Sequence, residues 1–383
     1  MYRYTATAFR RGAPTVLSYA ALLCFTFWNY GYGPALTLLR AELHFSYTLL
    51  GVYTAAWSAG AVLTGIAFPA LARRVSRAGL LWGSALLSSA GAVLFVLGPG
   101  VAPTLIGGGL LGLGGTTLLT VIQAVLSDQH GDQRERALTE ANMGAAACAV
   151  LAPLVLGALA GTVLGWRAAF VLPVLGLVVL NVRYRRHPLP RAAPDHPAGT
   201  ARLPRAALLF AGLVAASMAV EFCLVYYGAE QLAAIGLPTA AAATAMSAHY
   251  VGLLVGRVAG ALATRRPGRT TALQFGSLAG TAVGFALFWL APLPVAVVGL
   301  FLAGVGIANL YPLALALALG SAPGREDRVN ALSQVLGGLL VVGAPFALGA
   351  LADAVGLTAA YTVEPVLIGL CLLLLLSGLR SRS

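Results

Sequence analysis

The segment Asn181-Val-Arg-Tyr-Arg-Arg-His-Pro-Leu-Pro-Arg-Ala-Ala-Pro-Asp-His-Pro-Ala-Gly-Thr-Ala-Arg-Leu-Pro-Arg205 decides how this chain is read. It holds Arg183, Arg185, Arg186, Arg191, Arg202 and Arg205, with His187 and a scatter of prolines, and no helical apolar period runs through it. On either side the chain is a succession of apolar stretches, residues 1–181 before it and 206–383 after it. A basic linker, 182–205, that cuts a hydrophobic chain into near-equal halves predicts a duplicated unit.

The halves repeat. At an offset of 192, the nine residues from Ala152 to Ala160 fall on Ala344 to Ala352, and seven of the nine are identical. At the same offset Gly107, Gly112 and Gly114 fall on Gly299, Gly304 and Gly306, and Glu135-Arg136 falls on Asp327-Arg328. With one residue of slippage, Gly165 to Phe170 meets Gly356 to Tyr361. Several matches in one register, loops included, mark an internal duplication.

Composition assigns the environment. Apolar residues make up 59% of the chain and charged residues 9%, a balance foreign to soluble domains of this length. Apolar runs of about 20 residues recur, the length a helix needs to cross the hydrocarbon core. Twelve are placed: 15–39, 47–71, 79–98, 101–126, 137–160, 164–181, 206–229, 239–263, 271–291, 293–318, 329–352 and 358–379. The expected fold is an all-α membrane protein of 12 transmembrane helices in two pseudo-symmetric six-helix bundles. The alternating ten-residue pattern of a membrane β-barrel does not occur.

The net charge of +12 comes from 24 arginines and no lysine. With the N-terminus inside, 21 of them, among them Arg3, Arg265, Arg266 and Arg382, lie in the termini and even-numbered loops. Only Arg40 and Arg167 fall on outer loops, and Arg257 falls within a span. That asymmetry predicts both termini and the linker on the cytoplasmic side of a bacterial inner membrane. The charge therefore sets topology and gives no reason to expect a nucleic-acid partner. Cys24, Cys148, Cys223 and Cys371 sit on different apolar stretches with no metal or redox spacing, so no metal and no cofactor is expected.

Polar residues inside apolar stretches are costly and mark candidate sites. The first stretch holds Asn29 and Tyr30 beside Gly31, Gly33 and Pro34, a loosened segment that suits a cavity wall. The fourth, rich in glycine, ends with Gln123, and the fifth bends at Pro153 as its repeat mate bends at Pro345. The seventh carries Glu221, a carboxyl near mid-membrane and the leading candidate for proton binding, followed by Tyr226-Tyr227-Gly228. His249 in the eighth reaches nearly the same depth, which suggests a Glu221–His249 proton relay. Arg257 is expected to snorkel to the cytoplasmic interface or to serve structure. Asn309, Tyr311 and Pro312 predict a polar kink in the tenth stretch. Trp166 is expected as an interfacial anchor, Asp353 at the outer face, and Glu364 reaching back to water.

At this point the chain resembles the major facilitator superfamily over essentially its whole length. The resemblance rests on the two six-span halves, the basic linker, the Gly165-Trp166-Arg167-x-x-Phe170 motif and the Gly349 to Gly356 segment with Asp353. The family's cytoplasmic signature after the second span is present in altered form, with Pro69 in place of glycine and Arg73, followed by Arg74, in place of aspartate. Glu221, Tyr226-Tyr227-Gly228 and Gly256-Arg257-Val258-Ala259-Gly260 are loosely similar to the fucose-permease-like and cyanate-permease-like branches. The resemblance implies a monomeric transporter that moves a small solute by alternating access. Protons would couple at Glu221 and His249. The cavity would be lined by Asn29, Tyr30, Gln123, Tyr227, Asn309 and Tyr311. Arg73, Arg74, Pro153, Arg257, Pro345 and Asp353 would gate or shape it.

Two substrate classes stay open, a small polar solute such as a sugar or organic anion, and a lipophilic or cationic compound exported by an antiporter. A non-transporting membrane sensor would need a soluble appendage to signal through, and the short tails offer none. No metal motif, Gly-x-Ser-x-Gly or phosphate loop points to an enzyme.

Overall fold

The computed structural model describes residues 9–190, 203–264 and 269–381. Arg3, Arg191, Arg202, Arg265, Arg266 and Arg382 of the charge argument lie outside them. Within the described residues the structure is helical and has no strand. Six long helices precede the linker: α1 (Ala13–Leu43), α2 (Tyr47–Arg74), α3 (Arg77–Leu97), α4 (Val101–His130), α5 (Arg134–Ala160) and α6 (Arg167–Tyr184). After it come α7 (Arg205–Ala234), α8 (Thr239–Ala263), α9 (Thr270–Leu290), α10 (Leu293–Ile307), α11 (Leu310–Leu319), α12 (Glu326–Val355), α13 (Leu357–Ala360) and α14 (Val363–Arg380). Each expected apolar stretch falls on a helix.

Two of those stretches are interrupted. Pro312 has no N–H and its ring crowds the carbonyl four residues back, so the helix breaks at Ala308 and Asn309 between α10 and α11. Gly356 and the short α13 precede α14. Taken with those breaks, eleven helical segments among the described residues are long and apolar enough to cross a membrane. Helix α1 is not among them, because Trp28, Asn29, Tyr30, Tyr32 and the glycine and proline positions beside them dilute its apolar character. Its place explains the dilution. It packs against α4, α5, α6, α7 and α8, so most of its surface meets protein rather than lipid. Elsewhere large apolar side chains such as Ile66, Leu86, Val182, Leu290 and Val366 face outward, as a hydrocarbon solvent requires. This is a multi-pass membrane protein.

The sequence duplication is a structural one. A Cβ added to Gly112 would strike the backbone of Trp57, and one added to Gly304 would strike the backbone of His249, with glycines and partners both offset by 192. Likewise Gly107 abuts Phe95 on α3 and Gly299 abuts Phe288 on α9. The glycines of α4 and α10 thus let the same helix backbones approach closely in each repeat, and the helices are held by van der Waals packing. Between the repeats, α2 packs on α12 and α5 packs on α8. Under the offset α2 corresponds to α8 and α5 to α12, so this is one contact made twice.

Candidate functional site

A cavity of about 370 Å³ lies between α1, α2, α4 and α5 on one side and α7, α8 and α12 on the other. Its wall draws on the first part of α1, the last parts of α4 and α8, and the first parts of α5 and α12. Those segments lead to the end of the molecule that carries Arg73, Arg74, Arg77, Arg134 and Arg325. Asn142, Arg257 and Gln334 of the wall are solvent-exposed, so the cavity opens toward that arginine-rich end.

The opposite end is sealed. Gly33 meets the Val225 backbone, Gly51 meets Phe346, Gly157 meets Ala240 and Thr244, and Gly349 meets Tyr47. Each joins a helix before the linker to one after it. Polar contacts reinforce the seal. The Asp353 carboxylate accepts hydrogen bonds from the backbone N–H groups of Tyr47 (2.9 Å) and Thr48 (2.7 Å) at the start of α2. These are N–H groups without an intrahelical acceptor, at the positive end of the helix dipole. The Tyr227 hydroxyl donates to the Tyr47 carbonyl at 3.3 Å. Arg40 pairs with the buried Glu230 at 3.2 Å and lies over the Tyr47 ring, its guanidinium carbon 3.8 Å from the centroid.

At the cavity floor the sequence explains one contact directly. Pro34 cannot donate to the carbonyl of Tyr30, its helical partner four residues back, which leaves that acceptor unpaired within α1. The Tyr250 hydroxyl of α8 donates to it at 3.1 Å, and the two tyrosine rings meet edge to face at 5.0 Å.

Of the residues singled out from sequence, Asn29, Tyr30 and Gln123 line the cavity. Glu221 lies just behind its wall, between the lining residues Met218 and Phe222, within electrostatic reach of Arg257, Tyr30, Tyr250 and Tyr311. Tyr311 borders the cavity through Gln334, whose amide donates to its hydroxyl at 2.8 Å.

Other expectations are corrected. Asn309 is outside the cavity: its amide donates to the Gly256 carbonyl at 2.7 Å and ties the α10–α11 break to α8. Tyr227 belongs to the sealed end. His249 is fully buried toward α10, beside the Leu300 backbone, with neither ring nitrogen in hydrogen-bond geometry with a partner. The phase of α8 turns Tyr250, and not His249, toward Glu221, so no Glu221–His249 relay is assembled. Arg257 does not snorkel away; it stands in the cavity wall. Trp166 is buried, donating to Glu42 at 2.6 Å, while Arg167 pairs with the same carboxylate. Glu364 does not reach water: it is fully buried, with neither oxygen partnered. Arg73 and Arg74 are exposed at the end of α2, and it is Arg77 that pairs with Asp128 of α4 at 3.0 Å. Pro153 and Pro345 are buried inside α5 and α12, the helices that seal the far end.

Sequence reasoning passed over Glu230 and the roles of Arg40, Arg257 and Gln334. An available signal was Glu230 near the outer end of the first span of the second half, an acidic residue with no basic residue in the same helix beside it, set against Arg40 near the outer end of the first span of the first half.

No curated protein matches the chain by sequence. Solved structures share its fold. A bacterial homolog of the human lysosomal transporter Spinster, in an inward-facing and unoccupied conformation, is 16% identical with a TM-score of 0.73, covering 96% of this chain and 97% of that one. A point mutant of the nucleoside transporter NupG is 13% identical with a TM-score of 0.75, covering 97% of this chain and 100% of that one. The peptide transporter POT in complex with sulfate is 17% identical with a TM-score of 0.75, covering 96% of this chain and 94% of that one. The family model of the Major Facilitator Superfamily matches residues 18–345. That span takes in every residue lining the cavity, and the chain belongs to the superfamily.

Proposed function

We propose that the protein is a secondary active transporter of a small solute, driven by protons and working by alternating access. In this reading α1 is a twelfth span, and the spans form two six-helix bundles, 1–181 and 206–383, joined by a cytoplasmic linker. The observation that carries the reading is the central cavity, open toward the arginine-rich end and sealed at the other by contacts between the repeats. In this reading the open end faces the cytoplasm of a bacterial cell with both termini beside it, an orientation that the positive-inside rule supports. Rocking of one bundle on the other would break the Asp353, Arg40 and Tyr227 contacts and close the arginine-rich end around the same site. Glu221 is the proton site. Its helix neighbours Met218 and Phe222 line the cavity, and its protonation changes the charge seen by Arg257 and Tyr30.

The test is uptake into proteoliposomes of a panel of sugars, organic anions, amino acids and lipophilic cations, with and without an imposed proton gradient. Accumulation of one class that collapses with a protonophore is expected. Glu221→Gln should retain exchange of that solute across the membrane and lose gradient-driven accumulation. Accumulation in Glu221→Gln equal to the parent would remove Glu221 from the mechanism, and no transport of any class would overturn the reading.

A further inference from the structure

We infer that the solute is a small organic anion with an apolar body, its anionic group held by Arg257. This rests on the transporter reading above and deepens it. Among the described residues lining the cavity, Arg257 is the one that carries a formal charge. Its side chain is reached by solvent, although it lies within the bundle some six residues before the end of α8. It makes no direct ion pair with any other described residue. Glu221 is within electrostatic reach but outside salt-bridge distance, and the Tyr30 hydroxyl is its near polar neighbour. A guanidinium in such a position has donors to spare, in a fork that matches a carboxylate bidentately.

The rest of the wall describes the remainder of the ligand. Trp57, Phe222, Tyr226 and Leu253 offer an apolar and aromatic surface, while Asn29 and Gln123 offer amides. The volume is at the small end of the range for small-molecule sites. A compact carboxylate with a phenyl or branched alkyl body satisfies all three, whereas a lipophilic cation would bring its charge to the guanidinium.

Glu221 then sets the pH dependence. The titratable or charged groups that face it are Arg257 and Tyr250 on α8, Tyr30 on α1 and Tyr311 on α11. With Glu221 ionised, its charge offsets that of Arg257 and repels an incoming anion. With Glu221 protonated, Arg257 is free to take the anion. One proton and one monoanion therefore bind together, and the loaded carrier has the same charge as the empty, Glu221-ionised one.

The experiment measures binding of phenylacetate, phenylacetamide and phenethylamine, with isovalerate as the branched probe, to the detergent-purified full chain. Thermal shift and calorimetry at pH 6 and pH 8 supply the readouts. Phenylacetate or isovalerate is expected to bind at least about tenfold more tightly than the amide or the amine, and more tightly at pH 6. Glu221→Gln should keep the affinity and lose its pH dependence. Arg257→Gln should abolish the preference for the anion, and Arg257→Lys should keep part of it, which guards against a folding defect in the first variant. Equal binding of carboxylate and amide, preference for the amine, no binding of either carboxylate, or an unchanged preference in a folded Arg257→Gln would overturn the inference. Proteoliposome uptake separates the two readings. Arg257-dependent binding of phenylacetate without transport would sink the transporter and leave the anion site standing. Gradient-driven accumulation of a sugar or amine by a protein that binds neither carboxylate would do the reverse.

Discussion

Gly33 on α1 lies against the backbone of Val225 on α7, and the two occupy equivalent positions in the repeats, 192 residues apart. A residue that touches its own repeat mate sits on the two-fold pseudo-axis relating the halves, as self-equivalent contacts do in an isologous interface. The axis therefore passes through the sealed end, where α1 and α7 cross with no side chain between them. Closure at that end has no room for even one methyl group.

Gly33→Ala should accordingly disrupt the sealed state. The added Cβ would meet the Val225 carbonyl oxygen, which is main chain and cannot swing aside. A loss of about 1–3 kcal/mol in stability of this conformation is expected, the usual cost of overpacking. A cysteine placed near the seal, at position 229 for example, should react faster with a membrane-impermeant maleimide in the Gly33→Ala background. Unchanged labelling would show that the crossing is looser than the structure has it.

The Arg40–Glu230 pair should behave as a coupled latch. Arg40→Gln leaves a nearly fully buried carboxylate without its cation, a loss that costs up to about 3–5 kcal/mol for a buried pair and less here because Arg40 is partly exposed. Glu230→Gln added to it should restore a large part of the loss. A double-mutant cycle on thermal unfolding checks this, and strict additivity of the two substitutions would argue against a direct latch.

Tyr250→Phe should cost about 1–2 kcal/mol by leaving the Tyr30 carbonyl without a donor. Adding Pro34→Ala supplies the missing backbone N–H within α1, so the double variant should recover stability that Pro34→Ala alone does not confer. Thermal shifts of the three variants decide the matter. Failure of Pro34→Ala to suppress the Tyr250→Phe loss would separate the two observations.

Glu364→Leu should raise the melting temperature. The carboxyl is fully buried beside Cys223 and Tyr361, with neither oxygen hydrogen-bonded, and an unsatisfied buried polar group costs about 1–3 kcal/mol. Leucine fills a similar volume without that cost. A melting temperature below that of the parent would show that the carboxyl has a partner in the native membrane that stabilises it.

The sequence by itself determined the solvent, the segments and the symmetry. Lipid makes every spanning segment satisfy its own backbone, so long apolar runs can only be helices, and their boundaries could be read to within a few residues. The duplication was legible because the glycines that let backbones touch cannot be replaced by larger residues, so Gly112 and Gly304 stand in one register. Even the kink before Pro312 and the unpaired carbonyl of Tyr30 followed from covalent structure. Which polar groups share the cavity was decided only by tertiary structure. One residue of helical phase, about 100°, sends Tyr250 toward Glu221 and His249 into the α8–α10 contact. The same rotation places Arg257 in the cavity wall, while the broken backbone at Asn309 turns that amide outward to Gly256. Position along a helix gives depth in the membrane. Azimuth comes from the packing of the neighbours, and the donor that completes Tyr30 arrives from a residue 220 positions away.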